Sequence, residues 1–307
     1  MAPGRPLKVG VYLPSSERVV LWPERIAMVR AAESVGLDSN WVPDHLLHRR
    51  ADGTRAPWEA WTSLAGLAAA TSMILLGPLV AATSFHSPAM LAKMAATVDQ
   101  ISGGRLILGL GAGWNVTDYT AFGFPFDHRI SRFEEAFTII RTLLRDGAID
   151  FRGRYYEIRD CELLPRPARA GGPPLVVGSA GERMLRITLP YVAGWNGWYD
   201  WFGNTPAGVV PLLERVDRVC REVGRDPLTV ERTATLQVRL PGWIGIRSVT
   251  ETTVGAISPI AGSPQQIADA LRGFAQAGLD HVQLLLDPIT EGSIEALGPV
   301  LELLDHG

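Results

Sequence analysis

The sequence predicts an α/β chain folded as a (β/α)8 TIM barrel with insertion segments. Three observations predict it. Strand-like and helix-like stretches alternate along the 307 residues, giving close to eight β-then-α units. The turn Ala32-Glu-Ser-Val-Gly-Leu-Asp38 returns as Phe274-Ala-Gln-Ala-Gly-Leu-Asp280, and each copy leads through one strand to an aspartate, Asp44 or Asp287. The apolar run Leu106–Leu110 passes into the alternating glycines Gly109, Gly111 and Gly113. A buried parallel strand reads this way where something must approach its backbone closely.

The elements follow in order. Lys8–Leu13 is the first strand. Trp22–Ser34 has helical spacing and stops before Gly36, a suitable C-cap. Ser39–Val42 is a short strand ending at Pro43-Asp44-His45, and the polar stretch 46–57 is a loop. Trp58–Thr71 is an alanine-rich helix and Met73–Ala82 the third strand. Ser87 caps a helix that opens on Pro88 and runs to Ile101. Beyond the fourth strand, Trp114, Asn115, Asp118 and Tyr119 arrive on an exit loop.

Ser131–Arg145 is a helix with Phe133, Ala136, Phe137 and Ile140 on one face, and Asp150–Ile158 is a hairpin around Gly153. Strand Leu175–Val177, a helix from Glu182, strand Gly194–Trp198 and helix Val209–Val223 come next. Val230–Leu240 is strand. Residues 241–262 have no clear period and read as an inserted loop that lids the pocket. Helix Pro264–Ala277, strand His281–Leu286 and a closing helix Ser293–Leu304 complete the chain. The expectation is one barrel domain over 7–307 behind a flexible 1–6.

Composition excludes several function classes. The net charge of −3 with no basic block argues against nucleic acid as a partner. Cys161 and Cys220 form no C-x-x-C pair, which argues against a disulfide scaffold or structural zinc. Lys8 and Lys93 are the chain's two lysines, and Lys93 falls in a helix, not at a strand end, so Schiff-base chemistry on a barrel-end lysine is disfavoured. No apolar run reaches the ~18 residues of a membrane span. Residues 1–6 are too short for a signal peptide, so a cytoplasmic enzyme is the expectation.

Asp44 and His45 stand at a strand end, where barrel chemistry collects. The alternative is loop capping by Asp44 and a surface His45. The first strand, Val-Gly-Val-Tyr-Leu, lacks the H-x-H of a metal hydrolase, so no metal site is expected. Gly178-Ser179-Ala180-Gly181 follows a strand and opens a helix. Free N–H groups there can hold a phosphate, or Ser179 is an ordinary N-cap. Trp58, Trp114, Trp195, Trp198 and Trp201 all fall at or after strand ends. Core packing accounts for some of them; a cluster on one rim suggests a deep apolar pocket for a large flat ligand. With no nucleophile–base pair in view, a borrowed organic cofactor is the natural source of reactivity.

At this point the residues resemble a known family. Gly77-Pro-Leu-Val-Ala-Ala-Thr-Ser-Phe-His-Ser-Pro88, Leu91–Asp99, Ser102-Gly-Gly-Arg-Leu106 and Gly109-Leu-Gly-Ala-Gly-Trp114 are similar to the bacterial luciferase-like flavin and deazaflavin oxidoreductases. Ala121–Phe126, Arg129, Arg132-Phe-Glu-Glu135, Gly153–Tyr156 and Ala193–Asn196 continue the likeness. In detail it is most like the actinobacterial branch that uses the deazaflavin coenzyme F-420. The resemblance implies a cofactor at the C-terminal rim and a non-prolyl cis peptide between Leu79 and Val80.

It further implies Asp44 and His45 beside the cofactor ring, with Leu79, Val80, Ala81 and Ala82 as its backing. Gly178, Ser179, Ala180, Gly181 and Arg183 would hold the phosphate. Asn115, Thr117 and Asp118 would reach the ribityl chain or the substrate. Trp58, Trp114, Trp198 and Trp201 would line the substrate pocket. Some sugar-phosphate dehydrogenases of the family carry a catalytic glutamate where Trp114 stands. Trp114 accepts no proton, which leaves His45 as the catalytic acid–base group, and imidazole suits proton traffic near neutral pH. The function implied is hydride transfer between F-420 and an organic substrate. The alternatives are an FMN monooxygenase using O2 and a flavin-binding protein without turnover. A homodimer, common in the family, is a further expectation.

Overall fold

The computed structural model describes residues 4–15, 17–50, 53–55, 57–245, 251–252 and 255–306. Eight passes of parallel strand form a ring. They are β1 (Lys8–Tyr12), β2 (Ser39–Val42), β3 (Leu75–Pro78, resumed at Ala81–Ala82), β4 (Leu108–Gly111), β5 (Leu175–Gly178), β6 (Gly194–Trp198), β7 (Glu231–Arg239) and β8 (His281–Leu286). The hydrogen-bonded order is β3-β2-β1-β8-β7-β6-β5-β4 and back to the second half of β3, so the sheet meets itself. Side chains on both faces are covered, which is why the strands read as apolar runs. All six residues of β8 are buried.

Around the ring pack α1 (Trp22–Ser34), α2 (Ala60–Ala70), α3 (Pro88–Ile101), α4 (Val116–Phe122), α5 (Arg129–Asp146), α6 (Glu182–Thr188), α7 (Pro206–Glu222), α8 (Pro264–Gln276), α9 (Glu291–Glu295) and α10 (Gly298–His306). No described helix is long and apolar enough to cross a membrane.

The repeated turn is one structure used twice. Gly36 and Gly278 take φ of 84° and 106°, the left-handed region that glycine enters without penalty. Leu37 N donates to Ala32 O and Leu279 N to Phe274 O, the same helix-ending bond in both copies. The aspartate that follows then serves the neighbouring strand. Asp38 donates its N–H to Val9 O and accepts from Val9 N at 2.8 Å. Asp280 donates to Arg232 O and accepts from Arg232 N at 2.7 Å. Each copy therefore satisfies a strand start that the ladder alone leaves open.

Four segments differ from the expectation. The expected continuous third strand is interrupted at Leu79–Val80, the cis peptide that the resemblance implies. The exit loop after β4 contains α4, capped by the Asn115 side chain and ended by Gly123 at φ 75°. The polar stretch 46–57 holds an antiparallel pair, His48–Arg50 with Gly53–Arg55. The closing helix is two helices: Thr290 caps α9, and the chain restarts at Gly298-Pro299, where proline cannot extend the preceding ladder. In the expected lid, 246–250 and 253–254 lie outside the described residues. Glu251–Thr252 pairs with Gly255–Ala256, and Ile260–Ala261 joins β7.

The main core fills the space between ring and helices. A second apolar cluster of Ala82, Phe85 and Tyr119, with Leu46, Phe124 and Phe126 against it, sits under the rim. Phe85 and Phe124 stack at 5.0 Å, and Phe126 meets the Tyr119 edge at 4.9 Å. This cluster seats α4 beside the ends of β2 and β3.

Candidate active site

The ends of β2, β3 and β4 carry the site. At β3 the chain leaves the ladder for two residues, and Val80 turns into room left by glycines. A β-carbon on Gly109 would stand 3.0 Å from Val80 Cγ1, one on Gly111 2.6 Å from Cγ2, and one on Gly178 3.1 Å from Cγ1. The glycine alternation read from the sequence therefore makes space for the protein's own groups: Val80 at Gly111, the backbone Pro78 O and then Val80 at Gly109, and the Tyr119 hydroxyl at Gly113. Leu79, Ala81 and Ala82 are buried, and Val80 is the partly exposed member of this shelf.

Asp44 ends the β2 segment and is 5 % exposed. Its Oδ2 accepts a 2.8 Å bond from Ala82 N, tying the end of β2 to the resumed β3. Burial pushes its pKa up to about 7; the Ala82 hydrogen bond and nearby His45 act against that, and Glu59 and Asp118 add to it.

His45 is partly exposed. Its Nδ1 lies 2.8 Å from Asp118 Oδ2. Asp118 is fully buried, and its Oδ1 accepts from Leu46 N at 3.0 Å and Leu47 N at 2.8 Å. Burial acts to raise the Asp118 pKa, but His45 and the two backbone N–H groups outweigh it and hold the carboxyl below its usual range. The expectation that Asp118 reaches a ribityl chain or substrate is corrected: its oxygens are turned inward onto the 45–47 segment.

Asn115 is engaged the same way. Its Oδ1 accepts from Thr117 N at 3.3 Å and its Nδ2 donates to Leu47 O at 3.1 Å. Thr117 is partly exposed at the start of α4. Tyr119 donates to Ala112 O at 2.8 Å and Arg129 to Gly113 O at 2.6 Å, fixing the glycine-rich exit of β4.

Two aromatic rings flank His45. His48 lies 4.7 Å away and Trp114 meets it edge-on at 5.3 Å. His48 was not singled out by the sequence, although its three-residue spacing from His45 was in view. Its Nε2 lies 3.5 Å from Ser15 Oγ, which brings the β1 exit into the same group.

The four expected pocket tryptophans divide. Trp114 is 67 % exposed beside His45. Trp198 packs on Tyr12 at 5.5 Å, across the strand ends. Trp58 instead packs on Trp22 at 5.7 Å and donates to Val20 O, on the β1 exit. Trp201 is exposed beyond β6. Trp195, which the sequence also placed near strand ends, is core, and its Nε1 donates to Ser179 O.

At the β5 exit, Ser179 Oγ accepts from Gly181 N at 3.1 Å and Arg215 donates to Ala180 O at 3.1 Å. The first N–H groups of α6 have no intrahelical acceptor, and the loop before them is partly exposed. Arg183 departs from expectation: its guanidinium turns to Ser131 Oγ at 3.0 Å and Glu134 Oε2 at 3.2 Å on α5, away from the Ser179–Gly181 loop.

A ring of parallel strands with polar groups and apolar shelves gathered at its C-terminal rim defines the class of barrel enzyme folds. The profile of the family described as luciferase-like monooxygenase matches residues 9–240, and the chain belongs to that family. An F-420-dependent glucose-6-phosphate dehydrogenase of Amycolatopsis mediterranei is 37 % identical over 162 residues, covering 49 % of this chain and 48 % of that protein. The pyrimidine monooxygenase RutA of Methylorubrum populi is 35 % identical over 273 residues, covering 80 % and 71 %. The chain spans about half the length of several of the curated relatives it matches.

Among solved structures, an F-420-dependent secondary alcohol dehydrogenase superposes with a TM-score of 0.80 at 19 % identity, over 97 % of this chain and 99 % of that one. The EDTA monooxygenase of Chelativorans superposes at 0.81 and 16 % identity, over 98 % and 94 %. These likenesses establish the fold.

Proposed function

We propose that the chain is a coenzyme F-420-dependent oxidoreductase that transfers hydride between the deazaflavin and a small organic substrate at the barrel rim. The observation that carries this reading is the placement of His45. Its imidazole is held by a buried carboxylate at the edge of the Leu79–Ala82 shelf. The residues present fit such a coenzyme. Val80 offers an apolar wall for a flat ring system, and Ser179 and Ala180 with the first turn of α6 offer N–H groups for a phosphate, Gly181 N being taken by Ser179 Oγ. Bound there, the deazaflavin would supply or take up the hydride.

The chain's own groups do the rest. His45 gives or takes the proton that accompanies the hydride, through the nitrogen that Asp118 leaves free. Trp114 and His48 bound the space beside it, and Trp198 on Tyr12 closes the opposite side of the strand ends.

A second reading, an FMN monooxygenase using O2, is supported by the long alignment with RutA. The two are separated by following coenzyme absorbance in anaerobic mixtures of the protein, F-420 and panels of alcohols, aldehydes and enones. Substrate-dependent change without oxygen supports the first reading. Turnover only with reduced FMN and O2 would transfer the site to the second.

A further inference from the structure

We infer that Asp118 is a positioning residue that fixes His45 as one tautomer, with its proton on Nδ1 and Nε2 left as the exchanging nitrogen. The inference deepens the proposed function, because it rests on His45 as the proton-carrying group.

The geometry leaves little choice of tautomer. An ionised carboxylate only accepts hydrogen bonds. Asp118 Oδ1 already takes the N–H groups of Leu46 and Leu47, at 3.0 and 2.8 Å. Its Oδ2, 2.8 Å from His45 Nδ1, can be met only by a donor, so Nδ1 carries hydrogen. The carboxylate side chain is 1 % exposed, so water does not compete for that position. Nε2, on the far side of the ring, takes no part in the contact. A proton delivered to or from a ligand must then pass through it.

The mounting of Asp118 supports the assignment. It stands on α4, whose N-cap residue Asn115 also donates to Leu47 O. The loop carrying His45 is therefore clipped to α4 through the imidazole, two backbone N–H groups and one carbonyl. The aromatic cluster under the rim seats α4 from below. The ring has Trp114 and His48 against it, which oppose its rotation about the remaining bond.

Asp118→Asn tests this because the two backbone donors dictate how the amide must sit. Its Oδ1 must face Leu46 N and Leu47 N, which puts its NH2 toward His45 Nδ1. That nitrogen then becomes an acceptor and the imidazole proton moves to Nε2. A wrong-tautomer asparagine in a Ser-His-Asp triad costs turnover about 10⁴-fold.

The experiment is nitrogen-15 NMR of the full chain with labelled histidine, His45 being assigned by difference from His45→Gln. The expected wild-type spectrum at neutral imidazole shows Nδ1–H and an unprotonated Nε2, and Asp118→Asn exchanges the two. Turnover of Asp118→Asn falls at least about 100-fold, while substrate KM and coenzyme Kd stay within about threefold. A wild-type His45 protonated on Nε2 overturns the inference without reference to any variant. An Asp118→Asn spectrum that keeps Nδ1–H overturns it as well. Full activity in His45→Ala would instead defeat the proposed function, and the wild-type spectrum would still decide the tautomer.

Discussion

A β-carbon placed on Gly111 would stand 2.6 Å from Val80 Cγ2, closer than packed carbons approach. The end of β4 is therefore glycine because the shelf residue of β3 occupies its side-chain space. Gly111→Ala should destabilise the chain by about 1–3 kcal/mol through overpacking. Adding Val80→Ala should restore most of the loss, since the two changes share one contact. Denaturant unfolding of the two single variants and the double variant measures the coupling. Additive losses would show that the alanine meets something other than Val80.

The Asp44 carboxyl, raised by burial to about 7, makes stability depend on pH. An unfolded aspartate titrates near ~3.9, so between about pH 4 and 7 the folded chain holds the extra proton. Stability from this group is then greatest at low pH and declines as pH rises toward 7. His281, buried at the start of β8 and lowered to about 4, contributes the opposite slope as pH falls below its unfolded value. Asp44→Asn isolates the first effect. Its melting temperature relative to wild type should rise with pH across that window, and a pH-independent difference would contradict the assignment.

His45 is the group asked to carry protons. His45→Ala should lower turnover at least about 100-fold and leave coenzyme affinity within a few fold. Steady-state rates with a titrated Kd separate the two. Loss of binding with unchanged turnover at saturation would make His45 a binding residue only.

Asn115 caps α4 and holds Leu47 O. Asn115→Ala should cost stability by about 1 kcal/mol, the usual worth of an N-cap. Thermal unfolding checks it, and an unchanged midpoint would show that the aromatic cluster alone fixes α4.

How much of this was legible varies by element. The Gly36 and Gly278 turns were visible because one local pattern, helix end, glycine, leucine, aspartate, has one favourable geometry. The resemblance correctly located the Leu79–Val80 cis peptide. Helix α4 was hidden because Val116 and Thr117 are β-branched and the run is only seven residues long, although Asn115 and Gly123 bracket it as cap and stop. The Asp118–His45 contact joins residues 73 apart in sequence, and no local spacing announces such a pair. The tryptophans show the same division. Their positions after strands were readable, but which ring turns to the rim and which to a neighbour such as Trp22 depends on packing across the barrel.

Coenzyme choice is read most directly by a pair of fluorescence titrations of the purified protein, one with F-420 and one with FMN. Micromolar or tighter binding of F-420 and much weaker binding of FMN are expected. Tight binding of FMN alone would contradict the deazaflavin reading, and binding of neither would also remove the cofactor assignment at Val80 and Ser179–Gly181.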